Sequence, residues 1–304
     1  MAGLYSSNIS PTDRRKAFRD SLASEKITRL PGAFSPLVAR AIQEAGFEGV
    51  YVSGAVVAAD LALPDIGLTT LTEVAGRSRQ IARSTNLPVL VDADTGFGEP
   101  MSAARTVSEL EDAGVAGCHL EDQVNPKRCG HLDGKEVVPA DVMLRRIGAA
   151  VKERRDDQFV ICARTDAAGV EGIDSAIERA KAYADAGADL IFTEALHTPA
   201  DFEKFRAAVD TPLLANMTEF GKTELLSAQT LQDIGYNAVI YPVTTLRIAM
   251  GQVEAALSDI AETGTQADWV DRMQHRSRLY ELLRYEEYNA FDNDVFTYTR
   301  PDEA

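Results

Sequence analysis

Short runs of β-branched and aliphatic residues alternate along this chain with longer stretches in which apolar residues recur every three to four positions. The first pattern predicts buried strands and the second amphipathic helices. Their alternation is the sequence form of a parallel sheet covered by helices. Eight runs read as strands, at residues 28–30, 49–53, 88–92, 117–121, 159–164, 190–194, 212–216 and 238–241. Four of them share one punctuation, in AGFEGVYV, AGVAGCHL, AGADLIF and IGYNAVIY. In each, a Gly closes a helix in the left-handed conformation and the chain turns into a strand. Eight such units in about 220 residues predict a (β/α)₈ TIM-type barrel. A doubly wound open sheet would carry a Gly-rich phosphate turn after its first strand, and PGAFSP at 31–36 has no GxGxxG.

Beyond the eighth strand come helical segments at 245–262 and 269–285, then a tail with Phe291, Phe296 and Tyr298. No Pro/Gly/Ser-rich linker precedes them. Residues 1–304 therefore read as one barrel domain, with 245–304 as extra C-terminal helices. Two connections, 55–73 and 122–139, far exceed the ~2–6 residues usual for a strand-to-helix loop, which makes them candidate active-site loops. Glu109, Glu111 and Asp112 read as a solvated helix face, and Trp269, Tyr280, Tyr285 and Tyr288 as packing residues at helical spacing.

Composition narrows the function. Acidic residues number 47 against 31 basic, a net charge of −16, which argues against nucleic acid and anionic membrane as partners. Only 8 of the basic residues are Lys, a bias shared by salt adaptation and ordinary acidic drift. Cys118, Cys129 and Cys162 are too few for a disulfide framework, and no apolar stretch approaches the ~18 residues of a bilayer span. The start of the chain lacks the apolar core of a secretion signal, so the expected location is cytoplasmic.

A barrel places its chemistry at the C-terminal ends of its strands. There this sequence collects Tyr51 and Ser53, Asp92 and Asp94, His119 and Glu121, Arg164 and Asp166, Glu194, Asn216 and Thr218. Period-two alternation predicts that Asp92 and Asp94 share a face, as do His119 and Glu121. Acids on adjacent strands suit a hard divalent cation, whereas the four His have no zinc-site spacing. Cys129, flanked by Lys127 and Arg128, should have a lowered thiol pKa, while Cys118 and Cys162 sit in apolar strands as structural residues. His119 reads equally as an interior residue and as a substrate contact.

Seven motifs together resemble the isocitrate lyase and phosphoenolpyruvate mutase superfamily over nearly the whole length. They are YVSGA (51–55), LPDIG (63–67), VDAD (91–94), EDQ (121–123), KRCGH (127–131), ARTD (163–166) and NMTEFG (216–221). The Cys-bearing KRCGH resembles the loop that marks the lyase branch, and within that branch the short chain is most similar to the lyases that act on 2-methylisocitrate. The resemblance implies a (β/α)₈ barrel holding Mg²⁺, or Mn²⁺ in its place, and a homotetramer with C-terminal helices swapped between subunits. On that basis 269–288 would pack on a partner chain. Asp94 resembles the direct metal ligand, with Asp92, Glu121 and Asp65 holding metal-bound water. Ser53, Gly54 and Ala55 resemble the donors to an α-keto acid carboxylate, and Arg164 binds the same product's oxygens. Gly130, His131, Glu194, Asn216, Thr218 and Arg247 resemble binders of the other carboxylates of a tricarboxylate substrate.

The implied reaction, part of propionate catabolism through the methylcitrate cycle, cleaves 2-methylisocitrate to pyruvate and succinate. Tyr51 is the candidate base, with Lys127 keeping a nearby anion charged, and Cys129 is the proton donor. Phe192 and Ile240 are expected to meet the substrate's extra methyl group. Isocitrate, or an oxaloacetate-like acid, is the alternative substrate, and a non-catalytic barrel is the reading from outside enzymology. The chain departs from the family pattern at Thr193, where Pro is expected beside Glu194.

Overall fold

The computed structural model describes residues 4, 7–128, 130 and 134–297. Its strands are β1 (Thr28–Pro31), β2 (Val50–Val52), β3 (Val89–Asp92), β4 (Gly117–Glu121), β5 (Val160–Thr165), β6 (Leu190–Thr193), β7 (Leu213–Asn216) and β8 (Ala238–Tyr241). All ladders are parallel, in the order β1-β8-β7-β6-β5-β4-β3-β2. The seam between β1 and β2 is joined by a Gly32–Tyr51 bridge and by Ala33 N–H donating to Tyr51 O at 2.9 Å. This is the expected barrel, nearly closed.

The helices are α1 (Pro11–Leu22), α2 (Pro36–Glu44), α3 (Gly54–Asp60), α4 (Leu71–Ser84), α5 (Pro100–Asp112), α6 (Ala140–Glu153), α7 (Ile173–Asp185), α8 (Pro199–Ala208), α9 (Ala228–Ile234), α10 (Thr244–Thr263), α11 (Arg276–Leu283) and α12 (Tyr285–Phe296). Local chemistry sets their ends. Ser10, Ser35, Thr70 and Ser227 cap α1, α2, α4 and α9 by accepting from N–H groups of the first turn. Gly46, Gly114, Gly187 and Gly235, the four punctuating glycines, have φ of +78°, +80°, +102° and +103°.

Two apolar layers follow from strand alternation. Val50, Val52, Val89, Val91, Cys118, Leu120, Ile161 and Ile191 face the helices. Leu30, Tyr51, Leu90, Val160, Cys162, Leu190, Phe192, Leu214 and Ile240 face the barrel axis, and Phe18 and Leu22 of α1 join them. Helix α1, which the strand–helix repeat did not predict, thus belongs to the core. Each such side chain stabilises the fold by about 1.5–3 kcal/mol relative to exposure.

Several expectations change. The connection at 55–73 is half helix, because GAVVAAD (54–60) lacks a breaker and forms α3. The 122–139 connection forms no helix among its described residues. Its base is tied by a Gln123–Val137 antiparallel bridge and by Val138 N–H donating to Asp122 O at 2.8 Å. Segment 269–285 is broken into a 3₁₀ turn (Ala267–Arg272) and α11, which ends at Arg284 with φ +57°. Glu111 is not solvated. It is buried and accepts from the Arg155 and Asp156 backbone N–H groups and from Arg155 Nε at 2.9 Å. Trp269 is packed as expected, its Nε1 donating to Asp259 at 2.7 Å, and Tyr280 stacks on Tyr285. Helix α11 rests on its own barrel: Leu282 is buried and its carbonyl accepts from Arg40 Nη1 at 2.7 Å. Tyr298 lies outside the described residues.

Candidate active site

Alternation along the strands carries polar residues onto the upper end of the interior face. The register places Asp92 beside His119, Glu121 beside Arg164, and Arg164 beside Phe192. A cavity of about 320 Å³ opens above them. Its walls include Tyr51, Ser53, Ala55, Asp65, Asp92, Lys127, Gly130, Arg164, Glu194, Asn216, Thr218 and Arg247, with Leu63, Phe192 and Ile240 as apolar surface. A larger opening of about 610 Å³ lies beside it, with Asp94 and Thr95 in its wall. The smaller cavity is the one that gathers cations and carboxylates together.

Asp94 reaches this region by a different route from the one expected. Strand β3 ends at Asp92, and Asp94 sits at φ +46° in the following turn, its N–H donating to Asp92 Oδ1 at 3.0 Å. A short polar side chain tolerates this left-handed conformation. Gly54 also differs from expectation. Its N–H donates to Asp92 Oδ2 at 3.0 Å and is committed there. A Cβ at Gly54 would lie 3.0 Å from that oxygen and 3.2 Å from Asp94 Oδ1. The donors left for a substrate carboxylate are Ser53 Oγ and the Ala55 N–H, which as second residue of α3 has no intrahelical acceptor.

The acids are not equivalent. Burial pushes Asp92 up, but the charges of His119, Lys127 and Arg164 outweigh it and hold the group at about 2. His119 itself is pushed down to about 4, first by burial, so at neutral pH Lys127 and Arg164 carry that effect. Asp94 is pushed up to about 6 by burial and by the Asp92 charge, against the pull of Lys127. Burial raises Glu121 well above the carboxylate range despite Arg164. Lys127 Nζ lies 2.8 Å from Asp94 Oδ1 and also bonds Asp65.

Among the described residues, no three His, Cys, Asp or Glu side chains are grouped to hold a metal unaided. The site still fits a hard divalent ion. Glu121 Oε1 is buried with no hydrogen-bond donor, and Lys127 at 2.8 Å is the one cation beside the buried Asp94 Oδ1 among the described residues. Mg²⁺ is commonly held by one or two carboxylates, with waters and substrate oxygens completing the shell.

On the opposite wall, Arg164 donates from Nε to Asp166 Oδ2 at 2.8 Å and from Nη2 to Asp166 Oδ1 at 3.0 Å. Glu121 and Glu194 flank it at 3.3 and 3.5 Å. Asn216 Nδ2 donates to Glu194 Oε2 at 3.2 Å. Arg247 does face the cavity, but its Nη1 donates to Glu219 Oε2 at 2.7 Å and to Thr218 Oγ1 at 3.2 Å. Its charge is thus balanced by Glu219, which sequence reasoning left out. Cys129 and His131 lie outside the described residues. Of the residues beside them, Arg128 N–H donates to Gln123 Oε1 at 2.9 Å, and a Cβ on Gly130 would meet Arg164 Nη2 at 2.3 Å. Only glycine fits there.

Tyr51 is buried with its hydroxyl 2.7 Å from His119 Nε2, and burial, then the Asp92 charge, raises its pKa well above 10. Lys127, expected to keep a nearby anion charged, is engaged by Asp65 and Asp94. His119 is buried, stacked on Tyr51 and edge-on to Phe192. Sequence reasoning also missed Lys135 and the buried Asp122–Tyr183 pair. The available signals were that Lys135 and Asp122 lie in the long connection after β4 and that Asp122 stands inside the EDQ motif. Cys118 and Cys162 are buried and raised by burial, Cys118 to about 12, as inert thiols should be.

A parallel barrel whose strand ends carry this acid and arginine pocket defines a class, and comparison identifies it. Residues 18–261 match the phosphoenolpyruvate phosphomutase family, and the chain belongs to it. Among curated proteins it is 86% identical over 299 residues to a probable 2-methylisocitrate lyase 2 of Corynebacterium glutamicum, covering 98% of this chain and 97% of that one. It is 43% identical to the 2-methylisocitrate lyase of Escherichia coli, over 92% of this chain and 96% of that one. Among solved structures, oxaloacetate acetylhydrolase with the inhibitor 3,3-difluorooxalacetate superposes with a TM-score of 0.89 at 33% identity, covering 96% of this chain and 100% of that one. Phosphonopyruvate hydrolase, solved with oxalate and Mg²⁺, superposes with a TM-score of 0.86 at 26% identity, covering 95% and 100%. Among the described residues no helix is long and apolar enough to cross a membrane.

Proposed function

We propose that this chain cleaves the C2–C3 bond of 2-methylisocitrate to give pyruvate and succinate. It is a carbon–carbon lyase of the phosphoenolpyruvate phosphomutase family. The observation that carries the substrate is the 86% identity, across 98% of the chain, to a probable 2-methylisocitrate lyase. In this reading the enzyme works in propionate catabolism, in the cytoplasm, as a homotetramer.

Asp94 would hold Mg²⁺ directly, with Asp92, Glu121 and Asp65 on its waters, and Mn²⁺ could replace it. When bound, the ion supplies Lewis-acid stabilisation of charge developing on the substrate's C2 oxygen. Arg164, Ser53 and the Ala55 N–H orient the half that becomes pyruvate. Gly130, His131, Asn216 and Thr218 hold the succinate half, with Glu194 behind Asn216 and Arg247 at the rim. Leu63, Phe192 and Ile240 give the methyl group an apolar wall. Tyr51 acts as base together with His119. As the hydroxyl proton reaches the phenol oxygen, the phenol proton passes along the 2.7 Å bond to His119 Nε2. No free tyrosinate forms, and Asp92, 3.6 Å from that nitrogen, stabilises the charge. Cys129 gives its thiol proton to the carbon left on the succinate side.

The test is turnover of 2-methylisocitrate and isocitrate, with and without Mg²⁺, by wild type and Cys129→Ser. The expected result is a kcat/KM at least tenfold higher for 2-methylisocitrate, lost by ~10²–10⁴-fold in Cys129→Ser. Equal rates on the two substrates would overturn the assignment, and a Cys129→Ser enzyme keeping a tenth of the rate would remove Cys129 as proton donor.

A further inference from the structure

Lys135 lies outside every motif that defined the site, yet its side chain is only 5% exposed. Its Nζ donates to Asp166 Oδ1 at 2.8 Å and to the Gly130 carbonyl at 2.6 Å. Asp166 is the carboxylate that grips Arg164 through two hydrogen bonds, at 2.8 and 3.0 Å. The same Oδ1 therefore accepts from both Lys135 and Arg164. Asp166 is anchored from behind, its N–H donating to Asp122 Oδ1 at 2.9 Å.

The charges explain why a second cation is needed. Two carboxylates, Asp166 and Glu194, lie within 2.8 and 3.5 Å of the Arg164 guanidinium, and the buried carboxyl of Glu121 lies 3.3 Å away. Arg164 alone would be fully neutralised by them and would attract a substrate carboxylate poorly. An ammonium on Asp166 Oδ1 takes up part of that negative charge in a site where charges are weakly screened. It also joins Gly130 to Asp166, so the backbone beside Cys129 and the substrate-binding guanidinium share one support. The Gly130 backbone is set against Arg164 so closely that a Cβ would lie 2.3 Å from Nη2.

We propose that Lys135 is a positioning residue for Arg164: through Asp166 it aims the guanidinium and leaves its charge for an α-keto acid carboxylate. The inference deepens the lyase reading and rests on it for the role of Arg164. The test is separable from that reading, because it uses oxalate with Mg²⁺ as a probe of the pocket alongside turnover of 2-methylisocitrate. Calorimetry on wild type, Lys135→Met and Asp166→Asn should show oxalate binding weakened tenfold or more in each variant. Mg²⁺ binding without oxalate should stay within threefold, which a general collapse of the pocket would not allow. KM for 2-methylisocitrate should rise at least as much as kcat falls. Oxalate affinity and KM both within threefold of wild type in Lys135→Met would overturn the proposal. If Lys135→Met does not fold, Asp166→Asn with unchanged oxalate affinity would overturn it equally. A wild type that binds oxalate but leaves 2-methylisocitrate uncleaved would sink the substrate assignment, while the oxalate series still decides the role of Lys135.

Discussion

At the scale of single residues, Asp94 is the most exposed to a test. Burial and the neighbouring Asp92 push it up to about 6, with Lys127 as its nearest countercharge. A divalent ion at Asp94 would supply the charge that the pocket lacks and displace Lys127 from its ion pair. Asp94→Ala should weaken Mg²⁺ binding by calorimetry about a hundredfold, and its residual turnover should no longer respond to added Mg²⁺. A variant with the wild-type Mg²⁺ affinity would remove Asp94 as the ligand. Asp92, Glu121, Arg164, Glu194 and Asn216 could be read from sequence because strand alternation alone carries them to one end of the interior. The backbone turn that carries Asp94, the committed Gly54 amide and Lys135 could not. Their positions depend on a left-handed turn, on a helix start and on a long connection folding back, none of which has a period.

At the scale of elements, β1 and β2 share no continuous ladder and meet by a single bridge and the Ala33–Tyr51 hydrogen bond. Side chains reinforce that seam. Glu48, just before β2, accepts from Arg29 Nε at 2.8 Å, Arg29 Nη2 at 2.7 Å and Lys26 Nζ at 2.6 Å. Burial pushes Glu48 up, but the bonds from Arg29 and Lys26 prevail and hold it at about 2. A folded-state pKa below the unfolded value means the stabilisation is complete above about 4.5 and is lost as pH falls towards 2. The pair is partly exposed, so it contributes no more than about 1 kcal/mol. Glu48→Gln should melt a degree or two below wild type at pH 7, and the gap should close between pH 4.5 and 2.5. A gap that stays constant across that range would remove the ion pair as its cause. The strands themselves were legible because glycine turns and β-branched runs mark them locally. Helix α1 was not, since what makes it structural is Phe18 and Leu22 meeting an interior built from eight distant segments.

At the scale of the whole molecule, a net charge of −16 repels a tricarboxylate, so capture depends on cations confined to the pocket. The same scale decides what covers α10. None of its 20 residues is buried, although it carries Leu246, Met250, Val253, Leu257 and Ile260 at intervals of three and four. Leu257 is 60% exposed and Ile248 on the same helix 64%. Burying each such side chain is worth about 1.5–3 kcal/mol, and exposed apolar stripes of this extent mark contact surfaces. Helix α11 also touches its own barrel at Arg40, but Val270, Met273 and Leu283 remain exposed, so α10 and the 269–288 segment that the resemblance assigns to a partner chain both carry uncovered apolar residues. A second copy presenting the same stripe is the simplest cover, since a symmetric contact buries it on both chains at once. Light scattering on the wild type should therefore give at least a dimer of the 33.0 kDa chain at micromolar concentration, and the proposed homotetramer if a second interface joins two such pairs. Leu257→Asp with Val253→Asp should shift it to smaller species while circular dichroism keeps the barrel's signal. A monomeric wild type, or a double variant that keeps the wild-type assembly, would take α10 out of the interface.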